Sequence, residues 1–138
     1  MRKIKRPPTA GPINESMYAP PPSPRVRNVP PVTRRSVTHK FGIAECEAYL
    51  TVGLSDDDRP GDVFIKISKE GSTASGLVQG FCRALSLALQ YGLPVESAVD
   101  RFRGTRFEPS GPTTNPDIPH TDSVLDYVAR YLELHFVD

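Results

Sequence analysis

Apolar and polar residues follow two different periods in this chain, and the change between them divides it into elements. From Thr38 to Ser68 the period is two. Thr38–Ile43 predicts a first strand. Glu47–Leu54 predicts a second, with Leu50, Val52 and Leu54 on one side of the pleat. Asp62–Ser68 predicts a third, with Val63, Ile65 and Ile67 facing one way and Phe64, Lys66 and Ser68 the other. Ser55-Asp56-Asp57-Asp58-Arg59-Pro60-Gly61 between the last two is a polar turn. Connections this short favour an antiparallel meander, because parallel strands need a long crossover.

After Ser72 the period lengthens. Leu77, Phe81, Ala84, Leu85, Ala88 and Leu89 recur at helical spacing. They predict a helix of about 18 to 20 residues, roughly 30 Å long. Ser72 or Thr73 is placed to cap its first turn, and Gly92 to end it. This helix is the largest apolar surface in the chain and the natural cover for the sheet. Pro94 suits the start of a second helix carrying Val95, Ala98, Val99 and Phe102. Thr121 or Asp122 is placed to cap a last helix with the stripe Val124, Leu125, Val128, Tyr131, Leu132 and Phe136. Between these two helices, Gly104–Pro119 holds four prolines and two glycines, a composition that excludes a regular element. Phe107 and Ile118 imply that this loop packs against something. The pattern describes an α+β fold: a small antiparallel sheet of about three strands packed on two to three helices in two layers.

Charge adds a second division. The net charge of the 138 residues is +1, but residues 1–37 carry +7 and residues 38–138 carry −6. Nine of the fifteen prolines also lie in residues 1–37. That segment predicts a basic, proline-rich arm, extended or disordered in isolation, ahead of a folded domain over 38–138. The arm is equally suited to a solvated linker and to contact with nucleic acid, an acidic protein face or its own domain. Met1-Arg2-Lys3-Ile4-Lys5-Arg6 is followed by Pro7-Pro8 and not by an apolar core, which argues against secretion. No apolar run approaches membrane-spanning length. A reducing cytoplasm with free thiols is the expectation.

The chemistry-bearing residues are dispersed. Cys46 and Cys82 form no metal-type pair, and Cys82 falls near the apolar stripe of the main helix, where a thiol acts as a small hydrophobe. Cys46 lies between Glu45 and Glu47, an acidic setting that opposes nucleophilic reactivity. His39, His120 and His135 lack zinc-site spacing. Asp56-Asp57-Asp58 lacks the alternating ligands of a calcium loop. Gly71, Ser72 and Thr73 open the main helix and are the anion-binding candidates, although capping alone accounts for the hydroxyls. Arg101, Arg103 and Arg106 cluster at the end of the second helix. They are suited to neutralising the helix C-terminus, to pairing with Glu108 and Asp117, or to clamping a phosphate or carboxylate.

Five blocks in order carry a family resemblance: RRSVTHKFGI (34–43), EAYLTVGL (47–54), PGDVFIKISKEGSTASGL (60–77), SLALQYGLP (86–94) and TRFEPSG…TNPDIP (105–119). Together they resemble the C-terminal region of adenosylcobalamin-dependent (class II) ribonucleotide reductases, which is similar to the small domain called TSCPD. The resemblance covers roughly residues 34–138. It implies a part in ribonucleotide reduction, as an accessory domain or one piece of a split enzyme. It transfers no catalytic residue, because the family's catalytic barrel, with its radical and redox cysteines and its cobalamin cleft, has no counterpart in these residues. Adenosylcobalamin is implied only for a catalytic partner chain, with none bound here. The docking expectation falls on Arg101, Arg103, Arg106, Phe107, Glu108 and Ile118. A homo-oligomer is compatible with the same sequence. The alternative is a free-standing small-ligand or nucleic-acid binding module that reuses the fold.

Overall fold

The computed structural model describes residues 26–68 and 73–138. Three strands, β1 (Ser36–Ile43), β2 (Cys46–Leu54) and β3 (Pro60–Ile67), form an antiparallel sheet in that order. The register places Phe41 opposite Ala48, His39 opposite Leu50, Leu50 opposite Ile65 and Val52 opposite Val63. Residues facing across a ladder share a face. One face is therefore Phe41, Ile43, Ala48, Leu50, Val52, Val63 and Ile65, all buried. The other carries Lys40, Tyr49, Phe64 and Lys66, all exposed.

Three helices follow: α1 (Thr73–Gln90), α2 (Val95–Phe102) and α3 (Val124–Phe136). Tyr127 of α3 stacks on Phe41 of β1 with centroids 4.0 Å apart, and Phe81 of α1 meets Phe102 of α2 edge-on at 4.6 Å. The α+β architecture expected from the sequence is thus the one observed.

α1 is turned relative to expectation. Its buried side holds Val78, Cys82, Leu85 and Leu89, whereas Leu77 and Ala84 lie outside. The physical reason is that α1 lies along the free edge of β3 as well as on the core. Ser86 Oγ accepts from Val63 N at 2.9 Å and lies 3.2 Å from Val63 O, to which it can donate. The Cys82 thiol meets the Ile65 backbone next along the strand. Serine and cysteine on the inner side satisfy backbone groups that an edge strand would otherwise leave open.

Two further expectations are corrected. Gly104–Pro119 is not wholly irregular: β4 (Gly111–Pro112) pairs with β5 (His120–Thr121), and Thr113 bridges to Ile43. Pairing of two residues asks little of proline, and the Pro112 carbonyl is used, accepting from Ala44 N at 2.9 Å. The cap of α3 is Ser123, whose Oγ accepts from Asp126 N at 3.1 Å, and neither Thr121 nor Asp122 serves. Thr121 instead turns its hydroxyl to the Asp126 carboxylate.

The end of the arm belongs to the domain. Asn28 N donates to Gln90 O at 2.8 Å, and Arg27 Nε to Gln90 Oε1 at 2.7 Å. Gln90 Nε2 donates in turn to Asp62 Oδ1 at 2.9 Å. Asp62 Oδ2 has no hydrogen-bond donor in line, and Arg34 Nη2 at 2.7 Å holds it as an ion pair. A Cβ on Gly53 would lie 3.0 Å from that oxygen and 3.1 Å from Arg34 Nε, so glycine makes room for the pair. Residues 1–25, with the bulk of the basic arm, lie outside the described residues, as do Gly71 and Ser72.

Candidate functional site

The long connection between α2 and α3 is organised by one carboxylate. Asp126 is 0% exposed. Its Oδ1 accepts from Gly104 N at 2.7 Å. Its Oδ2 accepts from Thr121 Oγ1 at 2.8 Å, Asp122 N at 2.9 Å and Arg130 Nε at 3.0 Å. Burial alone would raise this carboxyl. The donors from Asp122, Gly104, Thr121 and Arg130 outweigh it and hold the carboxyl below its ordinary range. The backbone where α2 ends (Gly104, φ +84°) and the backbone leading into α3 are thereby fixed to one atom group. Ser123 Oγ adds a bond to Thr105 O at 2.5 Å.

On this frame the six docking candidates separate. Ile118 is 3% exposed and belongs to the core, so it offers no surface. Phe107 is half-buried and packs against the core, with its N–H on Asp122 O at 3.2 Å. Arg103 is taken by Glu133 of α3, with Nη1 at 2.8 and 3.1 Å from the two carboxylate oxygens. The sequence leaves three roles open for this arginine cluster, pairing with Glu108 and Asp117 among them, and Arg103 pairs with Glu133. Glu108 instead accepts from Ser110 N at 3.2 Å in its own turn. Arg101, Arg106 and Glu108 are exposed at the end of α2 and the start of the loop. Of the anion-binding candidates, Thr73 is exposed at the first residue of α1, and Gly71 and Ser72 are outside the described residues.

A second cluster was not visible from spacing. Tyr127 O–H receives Asn115 Nδ2 at 3.1 Å and lies 2.7 Å from His39 Nε2. His39 also stacks on Tyr131 at 4.6 Å, and Tyr131 meets His135 at 4.3 Å. Burial, and then the charge of His135, lower the His39 pKa from its ordinary 6.5. Burial raises both tyrosines.

Cys82 is buried, and desolvation raises its thiol to about 11, so it is a packing residue in this fold. An open groove of about 580 Å³ runs between β3 and α1, lined by Phe64, Lys66, Gln79 and Arg83 above Cys82 and Ser75. Among the described residues no three His, Cys, Asp or Glu side chains are grouped to hold a metal ion, and no helix is long and apolar enough to cross a membrane.

The sequence that builds this small sheet, its three helices and its carboxylate-pinned loop matches a known family. The TSCPD domain model covers residues 19–136, and the chain belongs to that family. Its relatives place the domain more narrowly. A vitamin B12-dependent ribonucleotide reductase of Rhodopirellula baltica is 54% identical over 107 residues, which are 78% of this chain and 10% of that protein. The reductase of Streptomyces avermitilis is 42% identical over 112 residues, 81% of this chain and 12% of its own length. That of Streptantibioticus cattleyicolor is 42% identical over 112 residues and 19% of its length. The chain is a reductase-related domain that spans between a tenth and a fifth of these relatives. No solved structure matches.

Proposed function

We propose that this chain is an accessory domain of a vitamin B12-dependent ribonucleotide reductase, acting by docking to the catalytic chain and not by catalysis of its own. The observation that carries this is the proportion of the match: most of this chain aligns with about a tenth of the Rhodopirellula baltica enzyme. Adenosylcobalamin is assigned to the catalytic chain. The docking face is the exposed group Arg101, Arg106 and Glu108, held in place by the bonds of Gly104 and Thr105 to α3 and its cap.

Biolayer interferometry of the intact chain against the Rhodopirellula baltica reductase, with its own matching region deleted, tests this directly. Saturable binding is expected, with a loss of tenfold or more for Arg101→Glu/Arg106→Glu. Both positions are exposed, so circular dichroism of the variant should remain native. Binding that survives the double reversal would remove this face, and no binding by the native chain would remove the docking role.

A second reading, a small-ligand module, is favoured by the groove itself. Phe64, exposed on the open sheet face, stands beside Lys66 and Arg83, a combination suited to a planar anionic ligand. Saturable quenching by a nucleoside triphosphate, lost in Phe64→Ala, would favour it over docking.

A further inference from the structure

The outer face of the sheet carries aromatic rings and cations together. Tyr49 of β2 and Phe64 of β3 are 42% and 48% exposed. Tyr49 stands opposite Lys40 on one side and Lys66 on the other, and Phe64 stands opposite Thr51, two residues further along β2. The two rings are therefore diagonal neighbours, a relation that spaces residues ~7–8 Å apart. Neither stacks on another ring among the described residues. Lys40 Nζ lies 5.9 Å from the Tyr49 centroid. Aromatic residues favour strands when their rings pack on cross-strand neighbours. These two gain little of that, and much of each ring stays in water.

The charges beside the rings have one sign. The three strands hold two acids, Glu47 and Asp62. Glu47 Oε1 is 3.8 Å from Lys40 Nζ, and Asp62 is buried against Arg34 at 2.7 Å. Lys40, Lys66 and Arg83, the one charged residue of α1, are exposed. This basic strip lies on residues 38–138, whose net charge is −6, so its sign is local and points to an anionic partner. Following the order β1–β2–β3 and then α1, cations and rings alternate: Lys40, Tyr49, Phe64 beside Lys66, then Arg83. The strip ends in the open groove of about 580 Å³ between β3 and α1. Residues 26–34 cross the far end of the same face, with Pro30 against Gly61 and Arg34 against Gly53. The preceding residues 1–25 hold five Lys or Arg and one Glu, a net +4 joined to the domain beside this face.

We propose that the outer sheet face binds a single-stranded nucleic acid. Two successive bases stack on Tyr49 and Phe64, the phosphates follow Lys40, Lys66 and Arg83, and the strand leads into the groove. Stacking accepts every base, so binding is tolerant of sequence. A duplex keeps its bases stacked on one another and offers the rings none.

Fluorescence anisotropy of the intact chain with a labelled single-stranded oligothymidylate of about ten nucleotides tests this. Saturable binding is expected, weakened at least tenfold by Phe64→Ala and by Tyr49→Ala and retained by Phe64→Tyr and Tyr49→Phe. Arg83→Gln should reduce the slope of log Kobs against log salt by about 0.7. All three positions are exposed, so native circular dichroism of the variants separates loss of the site from loss of the fold. Absence of saturable binding at low salt overturns the proposal. Binding indifferent to both alanine variants overturns it as well and moves the nucleic acid to residues 1–25. A duplex bound as tightly as the single strand removes the stacking, and with it the proposal. Thymidine triphosphate bound as tightly as the oligonucleotide overturns it in favour of a nucleotide site in the groove. A reductase chain lost from the native protein on Phe64→Ala, with no oligonucleotide bound, assigns the face to that chain instead.

Discussion

Asp126 holds three parts of the molecule together through one carboxylate. It joins the end of α2, the backbone before α3 and Arg130 of α3 itself. Asp126→Asn turns one acceptor oxygen into a donor that faces other donors, and leaves Arg130 without its carboxylate. The expected loss is about 3 kcal/mol in urea unfolding, the scale for breaking a buried, hydrogen-bonded charge pair. The pH dependence has a definite sign. The folded carboxyl lies below its ordinary 3.8, so its stabilisation is complete above that value and is lost as pH falls through the folded pKa. The asparagine variant should lose that acid slope. His39 acts in a different window. Its folded pKa lies below 6.5, so the unfolded chain takes up the proton first, and stability declines as pH falls from 6.5 towards the folded value. The groups facing His39 are Tyr127, Tyr131 and His135. Urea midpoints of His39→Gln should be flatter than those of the native chain between roughly pH 5 and pH 7. At this scale sequence legibility was uneven. Cys82 as a buried thiol could be read from its place beside an apolar stripe. Asp126 left a signal that was available, since Ser123 followed three residues later by an acid is close to a capping box. His39 and Tyr127 left none, because they are 88 residues apart and meet only through the packing of α3 on β1.

Among the elements, α1 shows where periodicity stops being informative. A helix with apolar residues on both sides has no single stripe, so Leu77 and Ala84 read as inward although the structure turns them out. Ser86 and Cys82 turn in because β3 needs partners along its edge, a demand that belongs to the strand and cannot be seen in the helix. Ser86→Ala should therefore cost about 1–3 kcal/mol, since the Val63 N–H loses its buried acceptor, while Ser97→Ala in the first turn of α2 should be close to neutral. Chemical denaturation of the two variants separates the two outcomes. The three strands and the presence of three helices were legible from their periods, whereas the buried side of α1 was not. The β4–β5 pairing was not, because two-residue strands leave no period.

For the whole molecule, the boundary between arm and domain lies earlier than charge and proline content suggest. Arg27, Asn28 and Arg34 tie residues 26–35 to Gln90 and Asp62. Deleting residues 1–37 should lower the thermal midpoint by several degrees, because the buried Asp62 loses the Arg34 guanidinium. Differential scanning calorimetry of the truncation against the native chain checks this. The family could be read from five ordered sequence blocks. The exposed part of the docking set could not, because Ile118 and Arg103 were spent on the core and on Glu133. The proposed docking to a reductase chain is tested by affinity capture of the tagged intact chain from its native extract, followed by mass spectrometry. Recovery of a vitamin B12-dependent reductase chain, reduced by Arg101→Glu/Arg106→Glu, is the predicted result. Capture that yields no reductase from an extract shown to contain one would contradict it.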